Sequence, residues 1–288
     1  MNNYVLFTDS ACDLGKELLD SMNVRYVNLS LIFDGDTTEY KNDEIDNKEF
    51  YDKMRQGATA KTSAINVDGF KEVFEAELKK GNDILYLGFS SGLSTTFNSA
   101  RLAADELTDL YPERKIIVVD SLAASAGFGM LVALTAKKRD EGASLEEAAD
   151  FARETYPKLA HWFTVDDLVY LKRGGRVSPA VAFVGGLLGI KPILHVDDEG
   201  HLIKVSTVRG RAAAIKALAD RFGETAIDNT QGPVYISHGD CEDDAKQLAD
   251  IIEKTYGVKT EITVYVGPVI GAHSGPGTLA LFFLGKER

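Results

Sequence analysis

Short runs of apolar residues alternate along this chain with stretches in which apolar positions recur every three or four residues, a pattern that predicts α/β architecture. Tyr4-Val5-Leu6-Phe7-Thr8 reads as a first strand, followed by a turn through Asp9-Ser10-Ala11-Cys12-Asp13 and a helix over 14–22. Phe70, Val73, Phe74 and Leu78 share one helical face, which predicts a helix over 68–80 with Gly81 at the C-cap. A strand over 84–89, a helix over 93–111, a strand over 115–119 and a long helical stretch from about Ser125 follow. Ser144-Leu145-Glu146-Glu147 is a capping box that opens a further helix. The first half therefore reads as β-α-β-α-β with parallel pairing.

The second half has a different rhythm. Residues 159–165 read as a strand and 166–172 as a short helix. Strands over 191–196 and 202–209 flank Asp197-Asp198-Glu199-Gly200, a hairpin-like turn. A helix, a strand over 234–237, a helix over 243–256 and a strand over 259–266 complete the pattern. The expectation is two abutting α/β domains. The first, 1–157, has a mainly parallel sheet; the second, 158–288, has a mixed or antiparallel sheet with helices packed on it. A cleft between domains is a usual place for a ligand.

Charge narrows the range of partners. The 32 basic residues are outnumbered by 44 acidic ones, leaving a net charge of −12, which disfavours nucleic acid and anionic membrane surfaces. The two cysteines, Cys12 and Cys241, fit neither a disulfide framework nor a zinc site. The N-terminus lacks a basic region before its short apolar run, and no stretch is long enough to span a bilayer. A cytoplasmic protein without metal or cofactor is expected. Gly174-Gly175 does not form a nucleotide-binding loop of the G-x-x-x-x-G-K-[ST] type.

Four loops place hydroxyl residues or glycine at the carboxyl end of a strand, the edge of a parallel sheet where ligands sit. They are Thr8-Asp9-Ser10, Thr62-Ser63, Ser90-Ser91-Gly92-Leu93-Ser94-Thr95 and Asp120-Ser121. Any one is an ordinary N-cap. Together, with free amides at helix starts, they make a mild anion site. Ser90 also lies in Gly88-Phe89-Ser90-Ser91-Gly92, the form of a G-x-S-x-G nucleophile elbow, and Asp120 and His273 follow in the order of a hydrolase triad. A serine hydrolase is thus the rival reading, although no oxyanion segment precedes it. Gly271-Ala272-His273-Ser274-Gly275-Pro276-Gly277 reads as a turn presenting an imidazole among glycines. Leu171-Lys172-Arg173-Gly174-Gly175-Arg176 is a basic knot that either caps a helix or docks a partner. The segment after it, Pro179-Ala180-Val181-Ala182-Phe183-Val184-Gly185-Gly186-Leu187-Leu188-Gly189-Ile190, is apolar almost all round, as core or tunnel wall would be.

In this order and spacing, these segments resemble the DegV family of bacterial fatty-acid-binding proteins nearly end to end. Ala64-Ile65-Asn66 stands where the family commonly has Gln-Pro-Ser, and Thr95 where it has glycine. The resemblance implies a long-chain fatty acid such as palmitate as ligand, with its chain buried and its carboxyl held between the domains. It further implies that Thr62 and Ser94 bond the carboxyl with His273 close by; from their loops Ser63 and Thr95 are further candidates for the carboxyl, and Ser10, Ser121 and Gly275 are candidates for the pocket loops. A separate fatty-acid kinase would phosphorylate the presented acid, with Lys172, Arg173 and Arg176 as its docking patch. The protein itself would be a carrier and not an enzyme.

Overall fold

A computed structural model of the chain describes residues 4–178, 189–286 and 288. In chain order its strands are β1 (Tyr4–Asp9), β2 (Arg25–Val27), β3 (Ser30–Phe33), β4 (Glu39–Lys41), β5 (Ala60–Ser63), β6 (Asp83–Gly88) and β7 (Ile116–Asp120). They continue with β8 (Leu159–Thr164), β9 (Ile190–Val196), β10 (Leu202–Arg209), β11 (Val234–His238), β12 (Ile262–Tyr265) and β13 (Leu279–Leu284). Three sheets result.

The first is all parallel, in the order β2-β1-β6-β7. Helices cover both of its faces, so its central strands are near-continuous apolar runs. Phe7, Ile84 and Tyr86 pack outward against Phe70, Phe74 and Leu107 of the helices Val67–Leu78 and Thr96–Leu110. On the inner side lie the helices Ser125–Asp140 and Leu145–Thr155. The first of these is buried nearly all round its first two turns, as expected of a helix between two sheets. The second opens on the capping box, with both reciprocal bonds between Ser144 and Glu147 present.

The second sheet is mixed, in the order β10-β9-β8-β13-β11-β12. One face meets the helix Ser125–Asp140; the other is covered by the helices Arg211–Thr225 and Glu242–Tyr256 through Ile215, Phe222, Leu248 and Phe283. Burying each such side chain contributes roughly 1.5–3 kcal/mol. The β9–β10 hairpin forms across its Asp-Asp-Glu-Gly turn, with Asp197 Oδ1 accepting the amides of Glu199 and His201.

Several elements depart from the expected pattern. A small antiparallel sheet, β4-β3-β5, and the helix Asn47–Arg55 lie between the first two strands of the expected β-α-β run. The last strand, β13, inserts antiparallel between β8 and β11 in the middle of the mixed sheet. The expected turn around His273 is instead the helix Pro268–Ser274, with Pro268 at its first position and His273 in its last turn. Asn66 Oδ1 accepts the Gly69 amide and caps the helix Val67–Leu78, so the Ala-Ile-Asn departure keeps a capping side chain. Residues 179–188, most of the apolar segment that sequence assigns to core or tunnel, lie outside the described residues.

Candidate functional site

Between the parallel and mixed sheets lies a cavity of about 260 Å³. Its long wall is apolar: Phe89, Phe163, Val196, Val269, Ala280 and Phe282 face it. The pairings Phe163 with Ala280 and His161 with Phe282 put these side chains on one face of the mixed sheet. His161 also lines the cavity, edge-on to the Phe282 ring, with Nδ1 2.8 Å from the Leu159 carbonyl. Burial, above all, holds its imidazole well below the usual range, so it is a neutral part of the wall.

Polar groups gather where three loops meet. Thr62 and Ser63 come from the end of β5, Ser94 and Thr95 from the loop after β6, and His273 from the end of its helix. Thr62 Oγ1 lies 2.8 Å from His273 Nε2. Burial first, and the Arg176 guanidinium second, push the His273 pKa down to about 4. The imidazole is therefore neutral near pH 7, and a proton on Nε2 lets it donate to Thr62 and leave the threonine hydroxyl free for an incoming acceptor. Ser94 Oγ accepts the Thr96 amide at 3.2 Å and pairs with Thr96 Oγ1 at 2.9 Å. That places it at the start of the 15-residue helix Thr96–Leu110, whose free amides favour an anion.

A cation completes the cluster. Arg176 lines the cavity half-buried, its Nε donating to the Leu93 carbonyl at 3.2 Å and one terminal nitrogen to the Gly174 carbonyl. No carboxylate pairs with it among the described residues, and burial lowers its pKa. Of the basic knot, Arg176 thus belongs to the cavity wall and not to an outer surface, whereas Lys172 and Arg173 are exposed. Gly174 is fixed by packing: a Cβ there would stand 2.1 Å from His273 Nδ1. The paired glycines of the knot were the sequence signal for this close approach.

Other expected positions fall away from the cavity. Ser10 is buried and its Oγ accepts the Leu29 amide. Ser121 Oγ donates to the Gly88 carbonyl and accepts the Ala123 amide. Gly275 takes φ +81° beneath the Tyr170 ring, where a side chain would collide. No triad forms around Ser90. Its hydroxyl is fully buried and bonded to the Gly200 carbonyl, Asp120 accepts the amides of Ser91 and Leu122, and His273 is engaged by Thr62. Sequence alone did not single out Ser125 and Ser237, which also line the cavity. Their hydroxyls lie 2.9 Å apart, and Ser125 donates to Asp13 at 2.6 Å. At the hairpin tip potential ligand atoms of Asp197, Glu199 and His201 lie within 4.8 Å of one another. All but Asp197 are exposed, and Asp197 already serves the turn.

Among the described residues no helix is long and apolar enough to cross a membrane. A DegV domain-containing protein of Clostridium perfringens is 43% identical over the whole of this chain and 99% of its own length. A Thermus thermophilus DegV-family protein described for fatty-acid binding superposes with a TM-score of 0.88 at 32% identity, covering 98% of this chain and 99% of that one. A stearic-acid-binding protein from Eubacterium ventriosum does so with a TM-score of 0.88 at 28% identity, covering 98% of each chain. The model of the DegV family matches residues 3–286, and with the Clostridium relative it shows that this chain belongs to the DegV family.

Proposed function

We propose that this protein binds one long-chain fatty acid, such as palmitate, and presents its carboxyl group to a separate fatty-acid kinase. The observation that carries the reading is a mainly apolar cavity lining joined to a polar cluster in which Thr62, Ser94, His273 and Arg176 come together. A buried carboxylate is costly without donors or a counter-charge. Here two hydroxyls, a helix N-terminus and one guanidinium supply them. A chain of about fifteen methylenes contributes on the order of 12 kcal/mol gross from burial, before the costs of association are subtracted.

The kinase half of the proposal rests on what the site lacks and what surrounds it. The one imidazole beside a hydroxyl at the polar cluster, His273, is neutral and with its proton on Nε2 donates to Thr62 instead of taking its proton, and its desolvated place suits a water-labile acyl-phosphate. Ser63 and Thr95 at the polar end are exposed, and so are Lys172 and Arg173 of the neighbouring helix Val169–Arg173. The carboxyl is thereby within reach of a partner docked on that face.

Calorimetric titration of palmitate into Thr62→Ala and Ser94→Ala tests the carboxyl site. Each variant should bind about fivefold more weakly, the effect of about 1 kcal/mol for one net hydrogen bond, while apolar burial retains measurable affinity. Wild-type affinity in the double variant would place the carboxyl elsewhere.

A further inference from the structure

The Gly88-Phe89-Ser90-Ser91-Gly92 segment has the form of a nucleophile elbow and none of its surroundings, so its buried hydroxyl needs another account. Ser90 Oγ donates to the Gly200 carbonyl at 2.9 Å and accepts the Gly92 amide at 3.2 Å. Gly200 closes the tip of the β9–β10 hairpin, which belongs to the other sheet. The fit is tight from both sides. A Cβ on Gly200 would lie 2.3 Å from Ser90 Oγ, and one on Gly92 would lie 2.7 Å from the Glu199 carbonyl oxygen. Gly200 also takes φ +79°, which strains any other residue.

Both sides of this contact continue into the cavity wall. The loop beyond Gly92 supplies Leu93, Ser94 and Thr95; the strands on either side of the hairpin tip supply Val196 and Leu202. Moving the loop away from the hairpin would leave the buried Gly200 carbonyl and Ser90 hydroxyl without partners, a penalty larger than the bond's own net contribution.

We propose that Ser90 is a positioning residue: its bond to Gly200 latches the carboxyl-binding loop onto the hairpin and sets the rate at which a bound acid leaves. The inference rests on the fatty-acid reading of the cavity. A wall that must part for the ligand to escape is a gating step, and the latch joins the loop side of that wall to the hairpin side.

Exchange kinetics test it. The protein is loaded with a fluorescent palmitate analogue and chased with excess palmitate, for wild type, Ser90→Ala, Gly200→Ala and the double variant, with melting temperatures measured alongside. Dissociation should quicken about fivefold in Ser90→Ala, the loss of one net hydrogen bond, and at least as much in Gly200→Ala. The effect of Gly200→Ala should shrink in the Ser90→Ala background, because the oxygen it collides with is gone. Ile252→Val, in the core on the far face of the mixed sheet, should lower the melting temperature and leave dissociation unchanged. Wild-type dissociation in Ser90→Ala, or rates that follow melting temperature wherever the substitution lies, would overturn the latch. If Gly200→Ala does not fold, Ser90→Ala against Ile252→Val decides. A wild-type protein that takes up no palmitate would overturn the fatty-acid reading itself, and the latch's part in exchange with it.

Discussion

At His273 two effects act in one direction: burial disfavours the imidazolium, and the nearby Arg176 guanidinium repels it, which brings the pKa to about 4 from the ordinary 6.5 of histidine. In the unfolded chain the ring gains its proton near its ordinary 6.5. The folded protein therefore draws stability from this group above that pH and loses it as pH falls toward 4. Following the imidazole resonances by NMR should show His273 titrating near pH 4. In Arg176→Ala the midpoint should rise, yet stay below the ordinary histidine value because burial persists. A wild-type midpoint at or above 6.5 would contradict a neutral histidine beside Thr62. Arg176 shows how one residue's role changes once its surroundings are known. In sequence it is the last cation of a helix-capping or docking patch, and nothing in the spacing says that its side chain turns inward to the Leu93 and Gly174 carbonyls.

Among the secondary-structure elements, one carboxyl helps tie the turn after β1 to a helix and, through it, to the mixed sheet. Asp13 accepts from Ser125 at the start of the helix Ser125–Asp140, and Ser125 in turn meets Ser237 on β11. Burial raises the Asp13 pKa to about 7 from 3.8, against the lowering effect of the Ser125 bond. Between those values the folded protein holds a proton that the unfolded chain releases, so this contribution to stability is present below about pH 4 and is lost as pH rises through 7. Melting curves of wild type and Asp13→Asn from acid to mildly alkaline pH should show the variant gaining relative to wild type as pH rises. Parallel curves would contradict a proton held at Asp13. The elements legible in sequence are those with long, consistent patterns: β1 and β6, buried on both faces, the apolar run of β7, the amphipathic helix Val67–Leu78, the capping box and the hairpin turn. Strands of three or four residues, such as β3 to β5, are too short for alternation to show. The Leu-Ala-Leu-Phe-Phe-Leu run of β13 is apolar throughout and gives no period to read. The hydroxyls of Thr62 and Ser94 were legible as strand-end residues, but their convergence on His273 depends on the small sheet and on the helix Pro268–Ser274, neither of which the pattern announces.

Over the whole molecule a net charge of −12 leaves Lys172 and Arg173 as exposed cations next to the polar end of the cavity. Opposite charge on a kinase would speed and orient the encounter. Arg173→Ala should then slow phosphorylation of the bound acid, most at low salt, with palmitate affinity near wild type. Normal transfer at low salt would reduce Arg173, which lies 5.7 Å from the Tyr170 ring, to a helix-end residue. The central claim, that the space between the two sheets holds a fatty acid, is tested most directly by extracting the purified protein with organic solvent and analysing the extract by mass spectrometry. One equivalent of saturated or monounsaturated long-chain fatty acid per chain is the predicted result. A protein that is repeatedly free of lipid and does not bind added palmitate would contradict it.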